Sequence, residues 1–202
     1  MKRAVLAVLA LALLAAPATV VAQGVEVTAF GGYRFGGTVK TDEGNLVLEA
    51  SPSFGVTVGI PVTREGSIEL FYSRQNADLT VDQEDGGDVP EIPQVAVEYW
   101  HLGYLYDFQP PGGIRPYLVA RLGASRFDPI VVDAEDVWRF SGGLGVGARV
   151  FFTDNIGARV EAQVLSTAVQ EGDYFCREGH CFPVVTSGVH QGSISAGLVV
   201  AF

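Results

Sequence analysis

Apolar residues alternate with small or polar residues along most of this 202-residue chain. Successive side chains of a β-strand point to opposite faces, so such alternation gives each strand one apolar and one polar face. After residue 22 the chain has no uninterrupted apolar run of the roughly 20 residues that a membrane-spanning helix needs. The sequence therefore predicts an all-β protein, and its class depends on what the apolar faces contact.

The first 22 residues follow a different pattern. Lys2 and Arg3 precede an uncharged apolar stretch from Ala4 to Ala16, and small residues follow up to Ala22. This is the arrangement of a secretory signal peptide. It predicts export, cleavage after Ala22 and a single mature domain over residues 23–202.

Eight segments show the alternation that is typical of strands. In the clearest of them Leu144 and Val146 alternate with Gly143 and Gly145. In the fourth segment, the alternation at residues 95–97 is out of phase with the rest of the segment, which predicts a β-bulge there. The segments are 25–35, 46–60, 67–75, 94–108, 115–127, 137–152, 155–167 and 190–202.

The connections between these segments alternate in length. Short ones lie at 61–66, 109–114 and 153–154, and long ones at 36–45, 76–93, 128–136 and 166–189. Outer-membrane barrels have short periplasmic turns and longer extracellular loops. The order therefore predicts a barrel with both termini in the periplasm.

A soluble β-sandwich is the alternative, because alternation does not say whether the apolar face meets lipid or a second sheet. The aromatic residues near strand ends favour the barrel, since aromatic girdles form at membrane interfaces. They are Tyr33, Phe35, Tyr72, Trp100, Tyr106, Phe108, Trp138 and Phe152.

Four segments resemble the bacterial outer-membrane β-barrel domain family, which includes the small OmpA-, OmpX- and OmpW-like barrels. They are Gly31–Phe35, Glu69–Arg74, Arg115–Tyr117 and Gly197–Phe202. The resemblance implies an eight-stranded antiparallel up-and-down transmembrane barrel in the cell outer membrane. It also implies that Phe202 belongs to a C-terminal signal for the barrel-assembly machinery.

Charged residues fall on the faces that would line the lumen. A barrel of eight strands is filled by its own side chains, and an ion buried there needs a partner. We expect the carboxylates of residues 26, 69, 107 and 161 to pair with Arg34 and four further arginines. The central network is predicted to comprise Glu69, Arg121, Arg139, Arg149, Arg159 and Glu161.

Two functions remain open for such a lumen. Paired charges would form a structural plug, and the protein would then have a structural or surface-interaction role. A narrow porin-like channel for small solutes is the alternative.

Cys176 and Cys181 are the only cysteines and lie in the last long connection. In an oxidising compartment they are predicted to form a disulfide. A zinc site that also uses His180 is the alternative, although it would have only three ligands.

Acidic residues outnumber basic ones by 23 to 13, and most acidic residues of the long connections lie in 76–93 and 128–136. This charge argues against a nucleic-acid partner. The acidic loops are either solvated or bridge divalent cations to lipopolysaccharide phosphates. We expect outer-membrane lipid and lipopolysaccharide as partners, a monomer, and no cofactor.

An enzyme would need a nucleophile beside an oriented base. The histidines are His101, His180 and His190, and the nearest serine to the last is Ser193, three residues along the strand and so on the opposite face. His101 is expected in the lumen and His190 at the rim. The sequence predicts no enzymatic activity.

Overall fold

The computed structural model describes residues 24–41, 44–82, 92–108, 113–129, 137–168, 174–177, 180–183 and 188–202. The predicted signal peptide and its cleavage site lie outside them. The strands are β1 (Glu26–Phe35), β2 (Thr38–Thr41), β3 (Gly44–Leu48), β4 (Ser51–Pro61), β5 (Gly66–Asp82), β6 (Ile92–Asp107), β7 (Ile114–Pro129), β8 (Val137–Phe151), β9 (Ile156–Ala168), β10 (Tyr174–Arg177), β11 (His180–Pro183) and β12 (Gly188–Ala201). Within the described part of the chain, no helix has the length and apolar character needed to cross a membrane.

Eight strands form a closed antiparallel ring in the order β1, β4, β5, β6, β7, β8, β9, β12. The ring closes where β1 pairs with β12, with Glu26 opposite Ala201 and Phe35 opposite Gly192. A closed ring has no free edge, so backbone groups of the wall are satisfied without water. The predicted eight-stranded antiparallel barrel is confirmed.

The outer face of the wall is apolar because outward and inward residues alternate along each strand. Leu122, Leu144 and Leu198 are 62%, 70% and 63% exposed. On β8, the inward residues that alternate with Leu144 and the other outward side chains include glycines, serine and arginine. Such strongly exposed leucines in a continuous band match a lipid-facing surface.

Aromatic side chains mark both borders of this band. Tyr72 and Trp100 pack with ring centroids 4.4 Å apart on β5 and β6. At the opposite end, Tyr106 and Phe108 pack edge to face at 5.2 Å. These rows correspond to the predicted girdles, and the Tyr72–Trp100 row lies on the side of the long connections.

Beyond the Tyr72–Trp100 row, the polarity of the wall is inverted. Asn76 and Asp78 are exposed on the outer face, whereas Ala77, Val95 and Val97 are buried inside. A wall that has left the membrane meets water outside and packs apolar residues inside. The third strand therefore continues to Asp82 rather than ending near residue 75, and residues 95–97 keep their register.

The bulge predicted at residues 95–97 lies next to them. Ala77 opposes Val95 and Leu79 opposes Ile92, which leaves one extra residue on β6 between Ile92 and Val95. The pairing of β5 with β6 is continuous from Gly66 opposite Tyr106 to Ala77 opposite Val95, and the register shifts only between Ala77 and Leu79. The apparent change of phase in the sequence reflects the inverted polarity of the wall.

Two of the predicted long connections contain strands. In the first, β2 pairs with β3, and β3 continues along β5, so the predicted strand 46–60 is interrupted at residues 49–50. Gly36 and Gly37 have φ values of 76° and 114°, a region that glycine adopts without strain, and they turn the chain from β1 into β2. In the last, β10 and β11 form a separate hairpin.

The C-terminal residue is anchored by backbone hydrogen bonds. The nitrogen of Phe202 donates to the oxygen of Val25 at 2.9 Å, and its oxygen accepts from Gly24 at 3.0 Å. The Phe202 ring is 59% exposed at the periplasmic border of the apolar band. Its use as an assembly signal stays a prediction.

Candidate functional site

Four charged side chains meet in the middle of the lumen, and we call them the lumen plug: Glu69, Arg121, Arg159 and Glu161. They project from β5, β7 and β9, and each is at most 7% exposed. The cluster contains two cations and two anions, so its formal charge is balanced. Balance is required here because an unpaired buried ion is very unfavourable.

The plug is held by multiple charge-assisted hydrogen bonds. Arg121 donates to Glu161 Oε1 at 2.6 Å, to Glu161 Oε2 at 3.0 Å and to Glu69 Oε2 at 3.1 Å. Arg159 donates to Glu69 Oε1 at 2.5 Å and to Glu161 Oε2 at 2.6 Å. Each arginine thus bridges both carboxylates, and the four side chains form one connected group across the lumen.

Aromatic rings fill the space above and below the plug. The guanidinium carbon of Arg121 lies 4.5 Å from the ring centroid of Phe71, and that of Arg159 lies 4.6 Å from Tyr117. The Tyr117 hydroxyl also donates to Glu161 at 2.8 Å. A Cβ on Gly147 would lie 2.3 Å from this hydroxyl, so glycine makes the room that the Tyr117 side chain needs.

A second ionic cluster lies nearer the periplasmic end. Arg149 forms ion pairs with Glu26 and Asp107, and its Nε donates to Asp107 Oδ1 at 3.1 Å. Arg149 and Asp107 are buried, whereas the side chain of Glu26 is 17% exposed at the mouth of the barrel. The charges predicted as one network therefore form two groups.

Arg139 does not lie at the level of the plug. It is close to the extracellular start of β8, opposite Ser125, and its Nη1 donates to the backbone oxygen of Trp138 at 2.9 Å. The alternation of the sequence correctly places Arg139 on the inner face. It does not say at which level along the barrel axis the side chain lies. The predicted network thus separates into the plug, the Arg149 cluster and Arg139.

Arg34 is the lumenal arginine for which the sequence gives the wrong partner. Its Nη2 donates to Ser73 Oγ at 2.5 Å and its Nη1 to Gln75 Oε1 at 3.5 Å. No carboxylate among the residues that the structure describes forms an ion pair with it. The expectation that each inward arginine pairs with a carboxylate fails at this position.

His101 and His190 lie on opposite faces of the wall. His101 is fully buried in the lumen, where its Nε2 is 2.7 Å from Ser141 Oγ. His190 is exposed at the extracellular rim, and its Nδ1 is 2.9 Å from Ser166 Oγ. The neighbouring serine is thus Ser166, on the adjacent strand, and not Ser193.

The two cysteines lie directly opposite each other in the β10–β11 hairpin, since the backbone register pairs Cys176 with Cys181. Opposed residues of an antiparallel pair have Cα atoms about 4.5–5.5 Å apart, which falls in the range that disulfides need. The register is therefore compatible with the predicted disulfide.

We expect the unreduced, denatured protein to have no free thiol, and two thiols per chain after reduction, because the hairpin register favours closure of the bond. Titration with a thiol reagent measures this. A matched Cys176→Ser variant should have one free thiol without reductant. Two free thiols in the unreduced wild type would contradict the disulfide.

Other predicted site residues lie in parts of the chain that the structure does not describe. These include most acidic residues of the second and third long connections. The predicted bridging of divalent cations to lipopolysaccharide therefore lies outside the described residues. The alternative zinc site depends on the side chains of Cys176, His180 and Cys181, which the structure does not describe either. Among the described residues, no group of three histidine, cysteine or acidic side chains could hold a metal ion.

Comparison with protein families identifies the chain. Residues 5–202 match the model of the outer membrane protein beta-barrel domain family. The chain belongs to this family. Its barrel domain is thus a cell outer-membrane barrel, with the apolar band in lipid and paired charges inside.

Solved outer-membrane barrels share the fold of this barrel domain. Neisserial surface protein A is 17% identical, with a TM-score of 0.62, and the match covers 91% of this chain and 100% of that one. AlkL is 13% identical, with a TM-score of 0.61 and coverage of 93% and 94%. The N-terminal barrel of Pseudomonas aeruginosa OprF is 18% identical, with a TM-score of 0.50 and coverage of 88% and 98%. No curated protein sequence matches the chain.

Proposed function

We propose that this barrel is a non-conducting outer-membrane protein with a structural or surface-interaction role. The observation that carries the proposal is the lumen plug. Its four ions are connected to one another and buried in the middle of the barrel. A permanent pathway for solutes would have to separate these buried ions from one another, which is costly.

The packing around the plug supports a closed lumen. Phe71 and Tyr117 are each 1% exposed and cover the two arginines. Phe30 stacks on Phe71 with centroids 5.5 Å apart, which extends the aromatic layer toward β1. A cavity of about 10 Å³ lies beside the plug, between Phe30, Phe71 and the inner faces of β4 and β12. It is small compared with ligand pockets, which span about 300–1,000 Å³.

The length of the walls supports a role at the cell surface. β5, β6 and β7 have 17, 16 and 16 residues, whereas a membrane-spanning strand needs about 9–11. Beyond the Tyr72–Trp100 row, β5 continues for ten residues, which corresponds to roughly 30 Å at about 3.3 Å per residue. The wall thus extends as an ordered, polar surface on the extracellular side.

We also propose that the protein is not an enzyme. The Ser166–His190 contact has the reach of a nucleophile–base pair. However, among the described residues no carboxylate forms a hydrogen bond or an ion pair with His190, so the third group that would orient the imidazole is missing. Lipopolysaccharide at the outer wall and the barrel-assembly machinery at Phe202 are the proposed partners, and the protein is proposed to be a monomer.

Planar-bilayer recording tests the closed lumen. We expect no steady single-channel current from the wild type, because the plug fills the lumen. The matched variant carries Arg121→Ser and Glu161→Ser, which removes one cation and one anion and keeps the charge balanced. It should conduct small ions. Steady wild-type currents would contradict the proposal and favour the narrow channel.

A further inference from the structure

The part of the lumen above the plug contains a cation that the plug does not use. Arg34 on β1 is fully buried, with 0% of its surface exposed. Its guanidinium carbon lies 4.8 Å from the ring centroid of Tyr99, and Ser73 and Gln75 accept hydrogen bonds from its terminal nitrogens. Serine, glutamine and an aromatic face solvate a guanidinium but do not neutralise it.

The described carboxylates of the lumen are engaged elsewhere. Glu69 and Glu161 bind Arg121 and Arg159, and Glu26 and Asp107 bind Arg149. Arg34 is therefore a buried cation with no counter-ion among the described residues, and a buried charge in this state is strongly unfavourable.

The unused donor of Arg34 identifies where an anion would bind. Its Nε has no hydrogen-bond partner, although the atom is fully enclosed. Nε–H lies on the edge of the guanidinium that presents two parallel N–H groups, the geometry that matches the two oxygens of a carboxylate. Buried polar groups without partners are rare. Among the described residues, Arg121 Nε and His101 Nδ1 also lack a partner, but Arg121 is paired with two carboxylates, so only at Arg34 does an unused donor coincide with an uncompensated charge.

The surroundings of Arg34 favour an anion with an apolar part. Tyr99 contacts Arg34 through its ring and also belongs to the buried apolar cluster of the upper lumen. This cluster includes Leu48, Val97 and Val189. Next to the cation, the Tyr99 hydroxyl donates to Gln191 at 2.8 Å, and Gln191 donates to Gln75 at 3.3 Å.

We propose that the upper lumen is a binding site for a small carboxylate, with its oxygens on Arg34 and its apolar part against the Leu48–Val97–Val189 cluster. The site lies above the plug and does not depend on whether the lumen conducts. Channel currents in the wild type would therefore contradict the proposed function without affecting this site.

The test follows the Arg34 Nε–H resonance by NMR in lipid nanodiscs, with the resonance assigned by its loss in Arg34→Lys. Sodium acetate and sodium hexanoate are titrated separately at constant ionic strength. We expect a saturable shift of the Arg34 resonance with both salts. The exposed Arg115 serves as the internal control, and its resonance should not saturate over the same range.

Hexanoate distinguishes a site for the head group alone from one that also holds the apolar part. Since each buried methylene contributes up to about 0.8 kcal/mol, half-saturation should need at least about tenfold less hexanoate than acetate. Equal concentrations would overturn the apolar half of the proposal. An Arg34 resonance that moves no more than that of Arg115 would overturn the site itself. Both results are read on the wild type, and the Arg34→Lys variant is used only to assign the resonance.

Discussion

Arg121→Met is expected to lower the free energy of unfolding by about 3–5 kcal/mol, the cost of removing one partner from a buried ion pair. Methionine keeps most of the volume against Phe71 but removes the donors to Glu69, Glu161 and Gln163. Two carboxylates then share Arg159 alone. Urea titration of the protein in lipid vesicles, followed by tryptophan fluorescence, measures the loss.

The matched control combines Arg121→Met with Glu161→Gln. It removes one charge of each sign and leaves Glu69 paired with Arg159 at 2.5 Å. We expect it to be more stable than the single variant, because no uncompensated carboxylate remains. If the single variant unfolds at the wild-type urea concentration, the plug does not contribute to stability and its structural role is refuted.

Val146→Arg should lower the free energy of unfolding in a bilayer by about 2–4 kcal/mol, the cost of an arginine on the lipid face at the membrane midplane. Val146 is 53% exposed on β8, midway along the chain between the exposed aromatic residues Phe140 and Phe152. The same vesicle titration measures the change.

Depth provides the control for this second substitution. Ile156→Arg places the same side chain on an outward residue at the periplasmic start of β9, where the expected cost is about 0–1 kcal/mol. Val146→Ala separates the loss of the valine from the gain of the charge. Equal destabilisation at positions 146 and 156 would show that the outer band does not face the hydrocarbon core.

The sequence predicted the membrane-spanning wall because a single physical rule acts along it. Lipid outside and a narrow polar lumen inside impose a period of two on every strand. The alternation of Leu144 and Val146 with Gly143 and Gly145 is therefore visible without any tertiary information. Each of the eight predicted segments corresponds to one wall strand of the barrel.

The extracellular part of the wall was poorly predicted because its polarity is inverted: polar residues point outward and apolar residues point inward. Above the girdle, water replaces lipid, and Val95 and Val97 pack inside while Glu98 points outward. In the sequence this inversion looks like a shift of one residue in the alternation of apolar and polar residues. The hairpins formed by β2 with β3 and by β10 with β11 are short strands in water, where neither lipid nor lumen imposes a long alternating pattern.

The candidate site was predicted in its residues but not in its pairing. Alternation identifies which side chains point inward, but the tilt of the strands sets their height, and height decides which charges meet. Arg121 meets Glu161 across 40 residues, and Ser166 meets His190 across 24. Neither contact follows from spacing along the chain, and the isolation of Arg34 from every described carboxylate does not either.

The sequence by itself determined eight strands with one apolar face each, through their alternation. The order of short and long connections and the aromatic residues near the strand ends then favoured a lipid-facing barrel, a closed ring of strands that satisfies the backbone in a membrane. Tertiary structure alone decided how the lumenal charges divide into the plug, the Arg149 cluster and the solitary Arg34. The reason is physical: the side-chain period is a local property of one strand, whereas contacts across the lumen depend on the register of all eight.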